Sequence, residues 1–100
     1  MKTKTNQQIT RINLVDGLFT YEEAKDLVLS LIQSKIHFHE LNNFSSIEQL
    51  GQPDAIAKHR IPELLAEREK VLRIMQEAAR KRCVVKIASS VSIELIDEGR

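Results

Sequence analysis

What this chain lacks narrows its chemistry before any pattern is read. Its single cysteine, Cys83, cannot staple the fold and has no second cysteine to share a zinc ion, which fits a reducing compartment. Three glycines and two prolines are too few for a flexible or low-complexity chain, so disorder is expected only at the ends, about residues 1–8 and 97–100. No apolar run approaches the ~20 residues of a membrane-spanning helix, and Met1 to Gln8 has no apolar core behind its lysines to serve as a secretory signal. A cytoplasmic location without membrane contact is the expectation. With a formal charge of +1, the chain carries no general attraction for nucleic acid. There is no nucleophile elbow, no phosphate-cradling glycine loop and no carboxylate pair beyond what a helix dipole explains. No catalytic residue, cofactor site or metal site is therefore assigned, and a non-enzyme is favoured.

What is present is structural patterning on the scale of one domain covering residues 1–100. From Ile61 to Ala79, Leu64, Val71 and Ala78 recur every seven residues, Leu65, Leu72 and Ala79 follow one place later, and Ile61 and Met75 complete the stripe. That is an amphipathic helix. Pro62 removes a hydrogen bond near its start, so either Asp54 to Arg60 is a separate turn with Pro62 opening the main helix, or one helix kinks near Lys58. Glu69 with Arg73 and Glu77 with Lys81 are spaced as ion pairs on its outer face.

An earlier helix starts at Thr20-Tyr21-Glu22-Glu23, which has the form of a capping box. Ala24, Leu27, Val28, Leu31 and Phe38 make one stripe on it, and Leu29 and Ile32 fall outside that stripe. The helix is thus apolar on more than one side, either between a sheet and another helix or against a second subunit. Ile36-His37-Phe38-His39 alternates like a strand while Phe38 and Leu41 continue the helical stripe, and helix to about Leu41 is favoured. Asn42-Asn43-Phe44 is expected to break it, before a second capping box at Ser46 to Gln49 and a short turn closed by Gly51.

Two strands flank the helices. Ile12 and Leu14 alternate with Arg11 and Asn13 in a short first strand that Asp16-Gly17 ends with a turn. At the other end Val85, Ile87, Val91, Ile93 and Leu95 share one face over Val84 to Ile96, a span of roughly 40 Å and about twice the first strand. The fold class is therefore α+β in β-α-α-β order, with an antiparallel helical hairpin packed on a small antiparallel sheet. Surplus length in the last strand leaves an unpaired edge, and a homodimer is the simplest completion. Leu29, Ile32, Arg68, Val91, Ile93 and Leu95 are its candidate contacts. Arg68 occupies a heptad position that is otherwise apolar, where it either snorkels or reaches a carboxylate such as Asp26 or one of the partner subunit.

The remaining candidates have plain explanations. His37 and His39 share a face only on a strand, so on a helix they cannot chelate together, and ordinary boundary histidines are expected. Lys58 with Arg60, and Arg80, Lys81 and Arg82 with Lys86, are candidate anion contacts. No aromatics interleave with them for base stacking, and Arg80 to Arg82 suit the negative end of a helix dipole. Cys83 is expected to be buried and inert.

Leu14-Val15-Asp16-Gly17 before Phe19-Thr20-Tyr21-Glu22-Glu23-Ala24, then Phe38-His39, Asn43-Phe44-Ser45-Ser46 and the closing alternating strand, resembles a group of short uncharacterised bacterial proteins. The likeness covers most residues after Arg11, its motifs are structural, and it implies no activity. Pro62 departs from the uninterrupted helix of that pattern. The expected role is a small homodimeric protein-interaction or scaffold module, and the alternative is an accessory protein that binds nucleic acid or an acidic partner through the clusters near Lys58 and Arg80.

Overall fold

The computed structural model of the chain describes residues 8–99 and has the expected β-α-α-β order: β1 (Ile9–Phe19), α1 (Tyr21–Leu50), α2 (Ala55–Lys81) and β2 (Val85–Glu94). The strands form a two-stranded antiparallel sheet and the helices an antiparallel hairpin. Two compact units result: the hairpin, Phe19–Val85, and the ribbon made by residues 8–18 and 86–99. The polar tail before Gln8 lies outside the described residues.

The hairpin is held by its ends. At the start of α1 the Glu23 N–H donates to Thr20 Oγ1 (3.1 Å) and the Thr20 N–H donates to Glu23 Oε1 (3.0 Å), the reciprocal capping box read from the sequence. The helix then runs 30 residues, well past Leu41, which corrects the break expected at Asn42-Asn43-Phe44. Its cause is tertiary. Asn43 Oδ1 accepts from the Asp54 N–H (2.9 Å), and the Ser46 hydroxyl donates to the Gln52 carbonyl (2.8 Å), so residues with a local taste for turns bind the connection across the hairpin instead. Gly51 ends α1 at φ 73°, its N–H donating to the Ile47 carbonyl (3.0 Å); any other residue would be strained there.

Asp54 caps α2, accepting from the Ala57 N–H (2.9 Å). A single helix then passes through Pro62, so Pro62 does not open it. Proline has no N–H to offer the Lys58 carbonyl one turn earlier, and the helix continues at the loss of that one bond. The far end closes in a Schellman motif, with Cys83 N–H donating to the Ala78 carbonyl (2.9 Å) and Arg82 N–H to Ala79 (3.3 Å). This places Arg82, not a glycine, in the left-handed region at φ 56°.

The buried set between the helices is small: Ala24, Ile36, Ala57, Leu64, Met75, Ala78 and His39. Three of its members are alanines, which permit close approach of the helices but supply little apolar volume. The ion pairs on α2 differ in part from expectation. Glu77 to Lys81 is present at 3.3 Å, whereas Glu69 and Arg73 do not meet; Arg60–Glu63 (2.6 Å), Lys70–Glu67 (3.1 Å) and Arg80–Glu77 (2.6 Å) form at the shorter spacing. Such exposed pairs contribute a few tenths of a kcal/mol, so rotamer preference decides which forms.

In the ribbon, β1 is an 11-residue strand that runs straight through Asp16-Gly17, so the turn expected there is absent. Gly17 does not adopt the positive φ a tight turn would need. β2 has 10 residues, so the strands match in length and the last one has no surplus over the first. A shallow depression lined by Asn13, Val15, Asp16, Ala88, Ser89 and Ser90 sets the middle of β1 beside the middle of β2.

Candidate interaction surfaces

Helix α1 carries more apolar surface than α2 can cover. Phe38, Leu41, Phe44, Ile47 and Leu50 stand three residues apart, so each is a surface neighbour of the next and the five form one continuous ridge. All five are exposed, Phe44 at 63 % and Leu50 at 70 %, and Leu31 lies one heptad before Phe38, exposed as well. The ridge winds round the helix because three residues fall short of a full turn of 3.6. No single neighbouring helix can hide all of it. Sequence reading missed Phe44, Ile47 and Leu50 as surface candidates because it ended the helix at Leu41; the three-residue spacing itself was the available signal. Lys35 Nζ sits 4.8 Å from the centre of the Phe38 ring, covering part of that face with its stem and charge.

The candidate contacts on the other side of α1 are less exposed. Leu29 and Ile32 are half-buried. Leu29 lines an open hollow of about 480 Å³ with Asp26, Ser30, Gln33 and Arg68, so the helices do bring Asp26 and Arg68 to one place. They make no ion pair there, and Arg68 has no carboxylate partner among the described residues. An unpaired guanidinium beside an unpaired carboxylate leaves both groups available to a neighbour.

On the ribbon, Val91, Ile93 and Leu95 are exposed, Leu95 at 76 %, along with Ile9, Ile12, Leu14 and Leu18 on β1. Among its described residues only Val15, Gly17, Ile87 and Ser89 are half-buried.

The basic residues do not gather into one surface on α2. Lys58 and Arg60 lie near its start and Arg80 and Lys81 in its last turn, about 33 Å apart at the helical rise. Arg60 is engaged by Glu63, and Arg80 and Lys81 by Glu77, while Lys58, Arg82 and, on β2, Lys86 have no ion pair among the described residues. Arg80 and, after it, Lys81 hold the Glu77 carboxyl below its ordinary range.

Histidines and cysteine complete the survey. Ile36 to His39 is helical, which points His37 to solvent and His39 inward. His39 is 4 % exposed, packs edge-on against the Phe38 ring with centroids 5.4 Å apart, and has no hydrogen-bond partner for either ring nitrogen among the described residues. Among the described residues no three His, Cys, Asp or Glu side chains gather as metal ligands. Cys83 is exposed, correcting the buried position expected for it. It follows the left-handed Arg82, where the chain has already left the helix and its apolar stripe. No described helix is long and apolar enough to cross a membrane. Comparison of the chain with protein-family models, with curated proteins and with solved structures gives no match.

Proposed function

We propose that this chain is a homodimeric protein-interaction or scaffold module. The observation that carries the reading is the exposed apolar ridge of α1. Phe38, Leu41, Phe44, Ile47 and Leu50 each present on the order of 100 Å², about 500 Å² together, spread over more than half of the helix circumference. The largest apolar patch on a typical monomer is about 300–600 Å², and a standard interface takes about 800 Å² from each partner. The ridge thus lies in the range where a protein's largest apolar patch is often functional, and the part of it that faces one way supplies a share of an interface. The small inter-helix core points the same way, since a chain of this size with three alanines among its six buried apolar residues gains from burying more. The unpaired Arg68 and Asp26 in one hollow would give such an interface a polar anchor at its rim.

Size-exclusion chromatography with light scattering tests it directly. At micromolar concentration the expected mass is twice the 11.5 kDa of one chain. A mass of one chain throughout that range overturns the proposal. Titration with DNA and RNA at low salt is the companion measurement for the basic clusters; a complex that steep added salt dissolves would favour the anion-binding role instead.

A further inference from the structure

The sheet has two strands, so β2 pairs with β1 along one edge and turns its other edge outward. Alternate residues along that outer edge direct N–H and C=O groups away from β1, a template for one more strand. Strands that must stay single are usually blunted there by charge, proline or a bulge. From Ile87 to Ile93, Ile-Ala-Ser-Ser-Val-Ser-Ile, β2 has none of these residues. Its charges stand only at the ends, Lys86 and Glu94, and neither has an ion-pair partner among the described residues.

We propose that the outer edge of β2 pairs antiparallel with β2 of a second copy, with the two-fold axis passing through Ser90. The inference rests on the homodimer reading above and gives it a strand and a register. Two antiparallel strands related by a two-fold axis have each residue opposite its mirror position in the chain. Because side chains alternate faces with period two, residues that meet across the axis must be an even number of positions apart. Lys86 and Glu94 satisfy this and are equidistant from Ser90. An axis at Ser90 sets each Lys86 opposite Glu94 of the other copy, so both charges of both strands are neutralised. The same operation sets Val85 opposite Leu95, Ile87 opposite Ile93 and Ser89 opposite Val91, joining the apolar faces of the copies into one. Any other centre loses the charge match.

β1 cannot do the same. Its charges, Arg11 and Asp16, are an odd number of positions apart and lie on opposite faces, so no two-fold axis brings them together. Charge and Gly17 blunt that edge, and the assembly closes at four strands rather than growing.

The test uses full-length protein with Cys83→Ser, so that introduced thiols are the only ones. Facing residues in an antiparallel pair have Cα atoms about 4.5–5.5 Å apart, inside the disulfide range of about 4.4–6.8 Å. Ser90→Cys should therefore oxidise to a covalent dimer in dilute solution. Ser92→Cys, on the same face and also exposed, should not, because the two introduced thiols lie about 14 Å apart along the strands. Glu94→Lys, which sets like charges opposite each other twice, should weaken association roughly tenfold or more, and Lys86→Glu with Glu94→Lys should restore it. If wild-type mass is that of two chains but Ser92→Cys cross-links as readily as Ser90→Cys, or the charge swap gives no rescue, the register is wrong while the homodimer stands. A wild-type mass of one chain removes both.

Discussion

The two helices of the hairpin are nearly equal in length and are finished to different degrees. α2 has a buried stripe and an outer face carrying every ion pair between described residues, Arg60–Glu63, Lys70–Glu67, Arg80–Glu77 and Lys81–Glu77. α1 has none of these and exposes Phe38, Leu41, Phe44, Ile47 and Leu50 three residues apart, whereas the exposed large apolar residues of α2, Ile56, Leu65 and Ile74, stand nine residues apart. Each meets the other on its inner face, so the contrast lies in what the two expose. α2 scatters its exposed apolar residues among charges; α1 gathers them in a row that the proposed association would use. In a protein with so small a core, the side chains that choose between folded and unfolded are few.

The contrast is broken hardest at the core. Leu64, 8 % exposed, is the largest aliphatic side chain that α2 buries against α1, and Leu64→Ala should cost about 2–5 kcal/mol of stability. Phe44→Ser, at 63 % exposure, should leave the stability of a single chain nearly unchanged. Its effect belongs to association, where removal of a central aromatic costs about 2 kcal/mol, or roughly thirtyfold in the dissociation constant. Denaturation at fixed protein concentration and sedimentation equilibrium separate the two quantities. If Phe44→Ser instead unfolds the chain as Leu64→Ala does, the ridge is core and the distinction between the helices fails.

His39 tests the inner face of α1 in the same way. An imidazole ring needs a partner at each nitrogen, and both ring nitrogens are buried with none among the described residues. Leaving such groups unmade costs about 1–3 kcal/mol. His39→Leu removes both and keeps the apolar volume, so it should raise stability by a similar amount, visible as a higher midpoint in urea. A drop would mean that the ring is held by groups the assembled protein supplies, which would extend α1's dependence on a neighbour to its inner face.

How much of this could be read from the chain depended on whether local pattern and tertiary demand agreed. Thr20 to Glu23 agreed and the capping box is there; the heptad of α2 and the alternation of β2 agreed as well. Asn43 and Ser46 did not. Both favour turns when considered alone, but here each satisfies a backbone group of the connection, and that tertiary bond is invisible to any window short of the whole hairpin. Gly17 misled for the opposite reason: glycine permits a turn without requiring one, and in β1 it is simply extended. The candidate surface was legible where it followed from a mismatch within one element, as for Arg68 at an apolar heptad position and Leu29 beyond the stripe, which line one hollow. It was hidden where it depended on the helix continuing, as for Phe44, Ile47 and Leu50.

The smallest expected effect lies on the outer face of α2 and concerns acid. Glu77 binds Arg80 through both carboxylate oxygens and Lys81 through one, and these cations, Arg80 first, lower its pKa in the folded chain. A carboxyl depressed on folding contributes stability above its unfolded pKa, about 4.3 for glutamate, and that contribution is lost as pH falls through the folded value. Glu77→Gln should therefore differ from wild type by a small loss near pH 7 and converge with it in acid. The pair is fully open to solvent, so salt should shrink the difference at neutral pH as it screens the charges. Urea midpoints of both proteins from pH 7 to pH 3, at low and moderate salt, read the trend. A difference that persists unchanged at pH 3 would show that Glu77 acts through packing, and α2's outer face would then be doing more than meeting water.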